Sequence, residues 1–284
     1  MQSYNRLAIL ASLFLFIQKI IQQTMYFQLQ DIEATKLNLD DPDHLRIHSL
    51  ETFGTHDGPG IRMVVFVQGC QFRCLYCQNP DTLDVRGGSL VEIEELVKRA
   101  VRQKSYFGTT GGVTVSGGEP LLQRNKLIHF FKLLHAQGIN TCLDSNGRLN
   151  NHQAQELFDN TDILLLDVKH INDKIHHKLT GLTNKNTLDV AAYRESTGKP
   201  MWLRYVLVPG WTDQPEYLEE WGQHFAHYKT VERVEIIPFH QLGAQKWELL
   251  NMPYLLKDTP PPTAESKSEA LAIFKKYFKN VILK

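Results

Sequence analysis

Three of the chain's four cysteines, Cys70, Cys74 and Cys77, fall together in the stretch FVQGCQFRCLYCQNPDT at 66–82, while Cys142 stands alone. Thiols bunched at C-x3-C-x2-C are too close for ordinary disulfide pairing, so they point to a metal site and to a reducing compartment, the cytosol. Cysteines of this kind hold iron–sulfur clusters, and one loop bearing three thiolates can give each a different iron of a four-iron, four-sulfur (4Fe-4S) cube. The fourth iron then lacks a protein ligand and is open to a small molecule. A structural zinc held by the three cysteines and a histidine such as His56 is the competing reading. Such zinc sites usually come as paired C-x2-C knuckles, and here one knuckle is joined by one cysteine at wider spacing. Three inert buried cysteines are the third reading.

The elements that must position these thiols read as repeated βα units around a parallel sheet. Strands are predicted at 61–67, 112–116, 139–144, 162–168, 201–208 and 231–239. Helices are predicted at 92–104, 121–137, 151–158, a broken pair across 172–196, 214–228 and 263–278, the last leading to NVILK. Leu121, Leu122, Leu127, Ile128, Phe131 and Leu134 share one face of the second helix, as packing on a sheet requires. Six repeats fall short of the eight of a closed barrel. The expected fold class is therefore α/β, an incomplete (β/α)6 TIM-like barrel of parallel strands, with a doubly wound sheet as the alternative.

Polar and ionisable residues follow most of these apolar runs: SGGEP at 116–120, DSNG at 144–147, DVKH at 167–170, VPGW at 208–211 and PFHQ at 238–241. In barrels and open α/β sheets alike, the C-terminal strand ends build the active site, so one mouth would collect them all. Gly117 and Gly118 let backbone approach a ligand, although a glycine pair before an acid is more often a turn. Asp167 and Lys169 flank Val168 and point to one side of their strand while Val168 points away. They are ligand contacts or a plain ion pair. Asp144 has a turn or capping role as its ordinary alternative, and His240, ending the sixth strand, that of a satisfied polar group. Arg204, inside WLRYV, contacts substrate or pairs with a nearby acid. THDGPGIR at 55–62 reads either as a loop over the thiols or as a glycine-rich turn before the first strand.

Lys+Arg and Asp+Glu both number 31 in 284 residues, so the net charge is zero and no broad footprint for nucleic acid or anionic membrane is visible. LAILASLFLFI at 7–17 resembles the apolar part of a secretory signal, yet it is too short to span a bilayer and no small-residue cleavage site follows. Residues 1–44 are expected to be an N-terminal extension: a dispensable segment with Met25 as the start, an amphipathic surface helix, or a targeting sequence. Residues 45–284 are expected to form one domain.

GCQFRCLYCQNPDT resembles the cluster loop of the radical S-adenosylmethionine (SAM) superfamily, including its aromatic before the last cysteine, Tyr76. IHSLETFGTHDGPGIRMVVFVQGC, GGVTVSGGEPLLQ, TCLDSNG, LLLDVKHINDKIHHKLTG, RYVLVPGWTD and IIPFHQLGAQKW narrow the likeness. Over roughly 47–284 the chain is similar to the pyruvate formate-lyase activating enzymes, which generate a glycyl radical for anaerobic glucose metabolism. That resemblance implies a radical SAM core whose 4Fe-4S cluster, on Cys70, Cys74 and Cys77, binds the amino and carboxylate groups of SAM at its open iron. It implies reductive SAM cleavage to methionine and a 5'-deoxyadenosyl radical, which takes an α-hydrogen from a glycine of the partner enzyme.

By the same resemblance, Tyr76, Cys77, Gln78, Gly118, Asp167, Val168, Lys169 and His240 are the cofactor-binding residues. The GGE at 117–119 would contact the SAM amino group, 167–169 its ribose and methionine parts, and His240 its adenosine. Asp144 and Asp167 would be oxygen ligands of a monovalent cation near the SAM carboxylate. The chain departs from the family at Gln78, where relatives carry His, and at Pro120, where they carry Ala. No cysteine lies between Cys77 and Cys142, so the cysteine-rich insert of other glycyl-radical activases is missing. Pyruvate formate-lyase is thus the expected target, with reduced flavodoxin or ferredoxin as electron donor and a monomer as the expected state. The alternatives are another radical target, such as anaerobic ribonucleotide reductase or a small molecule, and a non-enzymatic zinc or iron–sulfur protein.

Overall fold

The computed structural model describes residues 41–284. The apolar stretch 7–17 and nearly all of the predicted extension lie outside the described residues. Nine strands form one sheet, β1 His44–Gly54, β2 Arg62–Val67, β3 Ser89–Glu92, β4 Gly112–Gly117, β5 Asn140–Ser145, β6 Ile163–Asp167, β7 Met201–Leu207, β8 Val231–Pro238 and β9 Val281–Leu283. Their order is β3-β1-β2-β4-β5-β6-β7-β8-β9. From β2 to β9 neighbours run parallel, while β1 pairs antiparallel with both β2 and β3. The sheet is unclosed, and the six predicted parallel strands form its centre.

Helices α1 Ile93–Phe107, α2 Arg124–Ala136, α3 His152–Asp159, α4 Asp173–Thr180, α5 Lys185–Thr197, α6 Pro215–Phe225, α7 Ala244–Leu249 and α8 Ala264–Lys275 accompany the strands. No helix among the described residues is long and apolar enough to cross a membrane.

Period-two alternation sorts each strand into two faces. Met63, Val65 and Val67 of β2, Val113 and Val115 of β4, Leu164 and Leu166 of β6, and Leu203 and Tyr205 of β7 join Leu127, Phe131 and Leu134 of α2 and Trp221 of α6 in the helix-side core. The intervening residues face the barrel interior, where Val64, Cys142, Leu165 and Trp202 are buried. Toward the C-terminal strand ends that inner layer becomes polar. In register across neighbouring strands, Asp167 stands opposite Arg204 and Arg204 opposite Glu235.

The turn at 55–61 joins the end of β1 to the start of β2 and so lies at the N-terminal ends of the parallel strands, not over the thiols. Fully buried Arg62 fixes it there: Nη1 donates to the Pro59 carbonyl (3.0 Å) and the Thr110 carbonyl (3.2 Å), and Nε donates to Thr114 Oγ1 (2.7 Å). Thr114 Oγ1 in turn donates to the Asp57 carbonyl at 2.6 Å. This segment is a plug for the barrel base.

Candidate active site

The loop after β2 carries the thiols, and backbone hydrogen bonds set its course. Gly69 N–H donates to the Thr82 carbonyl (2.8 Å), Arg73 N–H to the Thr180 carbonyl (2.8 Å) and Leu75 N–H to the Leu179 carbonyl (2.9 Å). The loop is thus tied to its own far end and to the end of α4. Arg73 Nη1 also donates to the Cys70 carbonyl at 2.6 Å. All four cysteines are unpaired, and Cys70, Cys74 and Cys77 line one cleft of about 260 Å³.

The strand ends supply the rest of that wall: Phe66, Ser116, Gly117, Gly118, Asp144, Asn146, Asp167, Lys169, Arg204, Val206 and His240, with Tyr76 and Gln78 from the loop and Asp57 from the base plug. Four of the five polar strand ends converge as predicted. VPGW does not line the cleft; Thr212 folds back instead, its Oγ1 donating to the Val206 carbonyl and accepting from Val208 N–H, both at 2.7 Å.

Val168 faces away from Asp167 and Lys169, as its place in the strand implies. Its side chain is fully buried in the helix-side core and its N–H donates to the Arg204 carbonyl at 3.2 Å, so no side-chain contact with a ligand in the cleft is open to it. Glu119 differs from its expected role. Completely buried, it accepts from Leu121 N–H (2.9 Å) and Ser145 Oγ (2.7 Å) on Oε1 and from Asn146 N–H (2.8 Å) on Oε2. It braces the β4 end against the β5 end, leaving Gly117 and Gly118 at the cleft. Burial pushes its carboxyl up to about 7 despite those three donors.

A charged row crosses the cleft at the two carboxylates expected to ligate a cation. Arg204 Nη1 lies 2.8 Å from Asp144 Oδ2 and Nε 3.7 Å from Asp167 Oδ1, and Lys169 Nζ bonds Asp167 Oδ2 at 2.6 Å. A guanidinium therefore already sits between the two carboxylates, and among the described residues no three His, Cys, Asp or Glu side chains converge to hold an ion. Burial opposes ionisation of Asp167, yet Lys169 and Arg204 together hold its carboxyl below the usual range. Asp144 goes the other way, since burial outweighs Arg204 there.

A structural zinc would need a fourth ligand beside the three thiols. His56, the candidate fourth ligand, is exposed and does not line the cleft. Cys142 is also absent from it, packed beneath the barrel beside Gly58 and Arg62.

Several observations fit the cluster and the SAM expected from the resemblance. Tyr76 Oη, Asp144 Oδ1 and Arg204 Nε are buried in the cleft wall without hydrogen-bond partners, as donors and acceptors for a polar ligand would be. A Cβ on Gly118 would lie 2.1 Å from the Gly69 carbonyl, so only glycine lets the β4 end meet the thiol loop. Burial pushes the thiols of Cys70 and Cys74 up to about 12 and that of Cys77 to about 11, with neighbouring thiols adding to the effect. They are neutral until a metal displaces their protons.

Sequence reasoning names Gln78 only as a cofactor contact and passes over Trp247, Lys246 and Asn146. Gln78 Nε2 donates to the Tyr76 carbonyl (3.1 Å) and the His240 carbonyl (2.8 Å), and Oε1 accepts from Gly243 N–H (2.7 Å). Trp247 Nε1 donates to the Cys77 carbonyl at 2.9 Å, and Asn146 Nδ2 lies 3.8 Å from Cys70 Sγ. The IIPFHQLGAQKW motif was the one available signal for the first two.

A sequence model described as the radical SAM superfamily matches residues 64–221. The chain is 41% identical over 235 residues to a pyruvate formate-lyase 1-activating enzyme of Escherichia coli, covering 82% of this chain and 96% of the relative. It is 45% identical over 232 residues to a pyruvate formate-lyase-activating enzyme of Staphylococcus epidermidis, covering 79% and 92%. Among solved structures, a domain of pyruvate-formate lyase-activating enzyme from Bacteroides vulgatus matches with a TM-score of 0.52 at 22% identity, over 61% of this chain and 99% of that one. Streptococcus suis SuiB bound to S-adenosylmethionine matches with a TM-score of 0.58 at 14% identity, over 76% of this chain and 48% of that one. These two likenesses bear on the fold, which is shared.

Proposed function

Because the chain belongs to the radical SAM superfamily and, within it, to the family of the pyruvate formate-lyase activating enzymes, we propose that it installs the glycyl radical of pyruvate formate-lyase. When bound, the 4Fe-4S cluster supplies the electron that cleaves SAM to methionine and the 5'-deoxyadenosyl radical that takes the glycine hydrogen. The chain's own share is binding, orientation and exclusion of water. Cys70, Cys74 and Cys77 would hold the cluster as thiolates. Gly117 and Gly118 would admit the amino acid end of SAM, Asp167 and Lys169 its ribose and methionine parts, and His240 and Tyr76 its remaining flanks. Arg204, with an unpartnered Nε and a carboxylate on either side, is placed to meet the SAM carboxylate in the role expected of a cation.

The observation that carries this reading is the meeting of three thiols and unpartnered buried polar atoms in one cleft. The same reading makes residues 45–284 the catalytic unit, acting as a cytoplasmic monomer with reduced flavodoxin or ferredoxin as donor. The test is anaerobic: load the chain with iron and sulfide, reduce it, add SAM and pyruvate formate-lyase, and record 5'-deoxyadenosine and the glycyl radical by electron paramagnetic resonance. Both are expected from the wild type and from Cys142→Ala, and neither from Cys74→Ala. Cluster and SAM cleavage retained by Cys74→Ala would remove the assignment. Deoxyadenosine without a radical on the lyase would leave the chemistry and change the target.

A further inference from the structure

Beyond His240, which lines the cleft, the segment 241–247 has no role in the foregoing reading, yet together with His240 it grips the thiol loop. Three contacts make the grip. The indole of Trp247 donates to the Cys77 carbonyl at 2.9 Å and stacks on Tyr254 with ring centroids 5.5 Å apart. Gln78 bridges the His240 carbonyl and the Gly243 N–H. Lys246 Nζ donates to Asn79 Oδ1 (3.0 Å) and pairs with Asp81 (3.0 Å), whose Oδ2 is shared with His48 Nε2 of β1 at 3.0 Å.

The approach leaves no slack at its centre. A Cβ on Gly243 would lie 2.8 Å from both the Cα and the carbonyl oxygen of Gln78. Trp247 is 3% exposed, so its N–H bond to the loop is shielded from competing water.

We infer that this segment is a clasp whose residues Gln78, Lys246 and Trp247 are positioning residues, locking the third cysteine of the loop to the His240 wall so that cluster and nucleotide sites keep one fixed separation. Two independent walls of the cleft, the loop after β2 and the end of β8, are otherwise far apart in the sheet order, and the clasp is where they bond directly. Fixing Cys77 through its carbonyl would orient its thiol in advance for a bound cluster, as outer-shell hydrogen bonds orient metal ligands. Losing such a partner typically costs ten- to a hundredfold in metal affinity.

The inference rests on the proposed cluster site, and the experiment separates the two. Trp247→Phe keeps an aromatic ring against Tyr254 while removing the N–H and part of the indole's bulk; Gln78→Leu removes the bridge at similar volume and separates the bond from the void. In the metal-free chain, amide hydrogen exchange at 74–83 and 243–247 is expected to be about tenfold faster in either variant, with the rest of the sheet unchanged. In the loaded chain, iron loss to a chelator is expected to be about tenfold faster. Exchange and iron loss both at wild-type rates would overturn the clasp. If wild-type chain takes up no iron, the cluster reading fails, while the exchange experiment still decides whether the loop and residues 240–247 are locked together.

Discussion

Glu119 shows how far a residue's role can stand from what its motif suggests. It lies in the GGE expected to meet the cofactor, yet three hydrogen bonds turn it into a brace between the ends of β4 and β5. Its carboxyl, raised by burial from 4.5 to about 7, binds a proton in the folded state that the unfolded chain has released. Its contribution to stability is therefore full below about pH 4.5, declines as pH rises and levels off above about pH 7, a change of roughly 3 kcal/mol. His170 and His176, which burial lowers to about 4, work in the opposite direction, because their contribution is full above about 6.5 and is lost as pH falls. The wild-type profile is their composite, so the prediction concerns a difference. Urea unfolding of metal-free chain at pH 5 and pH 8 should show Glu119→Gln gaining relative to wild type as pH rises. Parallel profiles would mean that Glu119 does not titrate between them.

At the scale of elements, the junction between β4 and the thiol loop is the tightest point near the cleft. Gly118 N–H donates to the Val67 carbonyl (2.8 Å) and Glu119 N–H to the Gly69 carbonyl (2.7 Å), closing strand end against loop. With its Cβ 2.1 Å from backbone oxygen, Gly118→Ala has no flexible neighbour to push aside. Overpacking of this kind costs about 2 kcal/mol, so thermal unfolding should fall by roughly 4–8 °C for a chain of this size, with iron binding reduced in step. A Tm and iron content equal to wild type would show that the loop moves away freely. The central parallel strands were legible because burial on both faces leaves apolar runs that stop at polar ends. β1 was not: HLRIHSLETFG is antiparallel and half exposed, so its polar residues hide the alternation. β9, three residues long, and α7, six, give too short a period to read. Within the site the thiols, Asp144, Asp167 and Lys169 could be read because they sit at or just past a strand end, and Arg204 because a charge inside an apolar strand stands out. The bonds of Gln78, Lys246 and Trp247 could not, since they join segments more than 160 positions apart.

For the whole molecule, an unclosed sheet raises the question of what holds its two sides in register, and Lys284 supplies one answer. Its backbone extends β9, donating to the Ile236 carbonyl at 3.0 Å, while Nζ donates to the His56 carbonyl at 2.7 Å in the plug between β1 and β2. The same Nζ lies 2.9 Å from Glu235, a carboxylate 1% exposed that also faces Arg204 and Arg233. One lysine thus spans the seam and ends the charged row that begins at Asp144. Removing it leaves Glu235 with guanidinium partners only at 3.7 and 3.9 Å, and Arg204 is drawn between Glu235 and Asp144. Removing one member of a buried network costs more than removing both, because the survivor stays desolvated without its partner. Lys284→Met should therefore destabilise the chain by about 1–3 kcal/mol, and the Lys284→Met, Glu235→Gln double variant should lose less than the two single losses added. A coupling of about 1 kcal/mol in that cycle lies within the range for contacting residues. Zero coupling, with unchanged hydrogen exchange at 55–61, would mean that Lys284 merely lies across the seam without holding it.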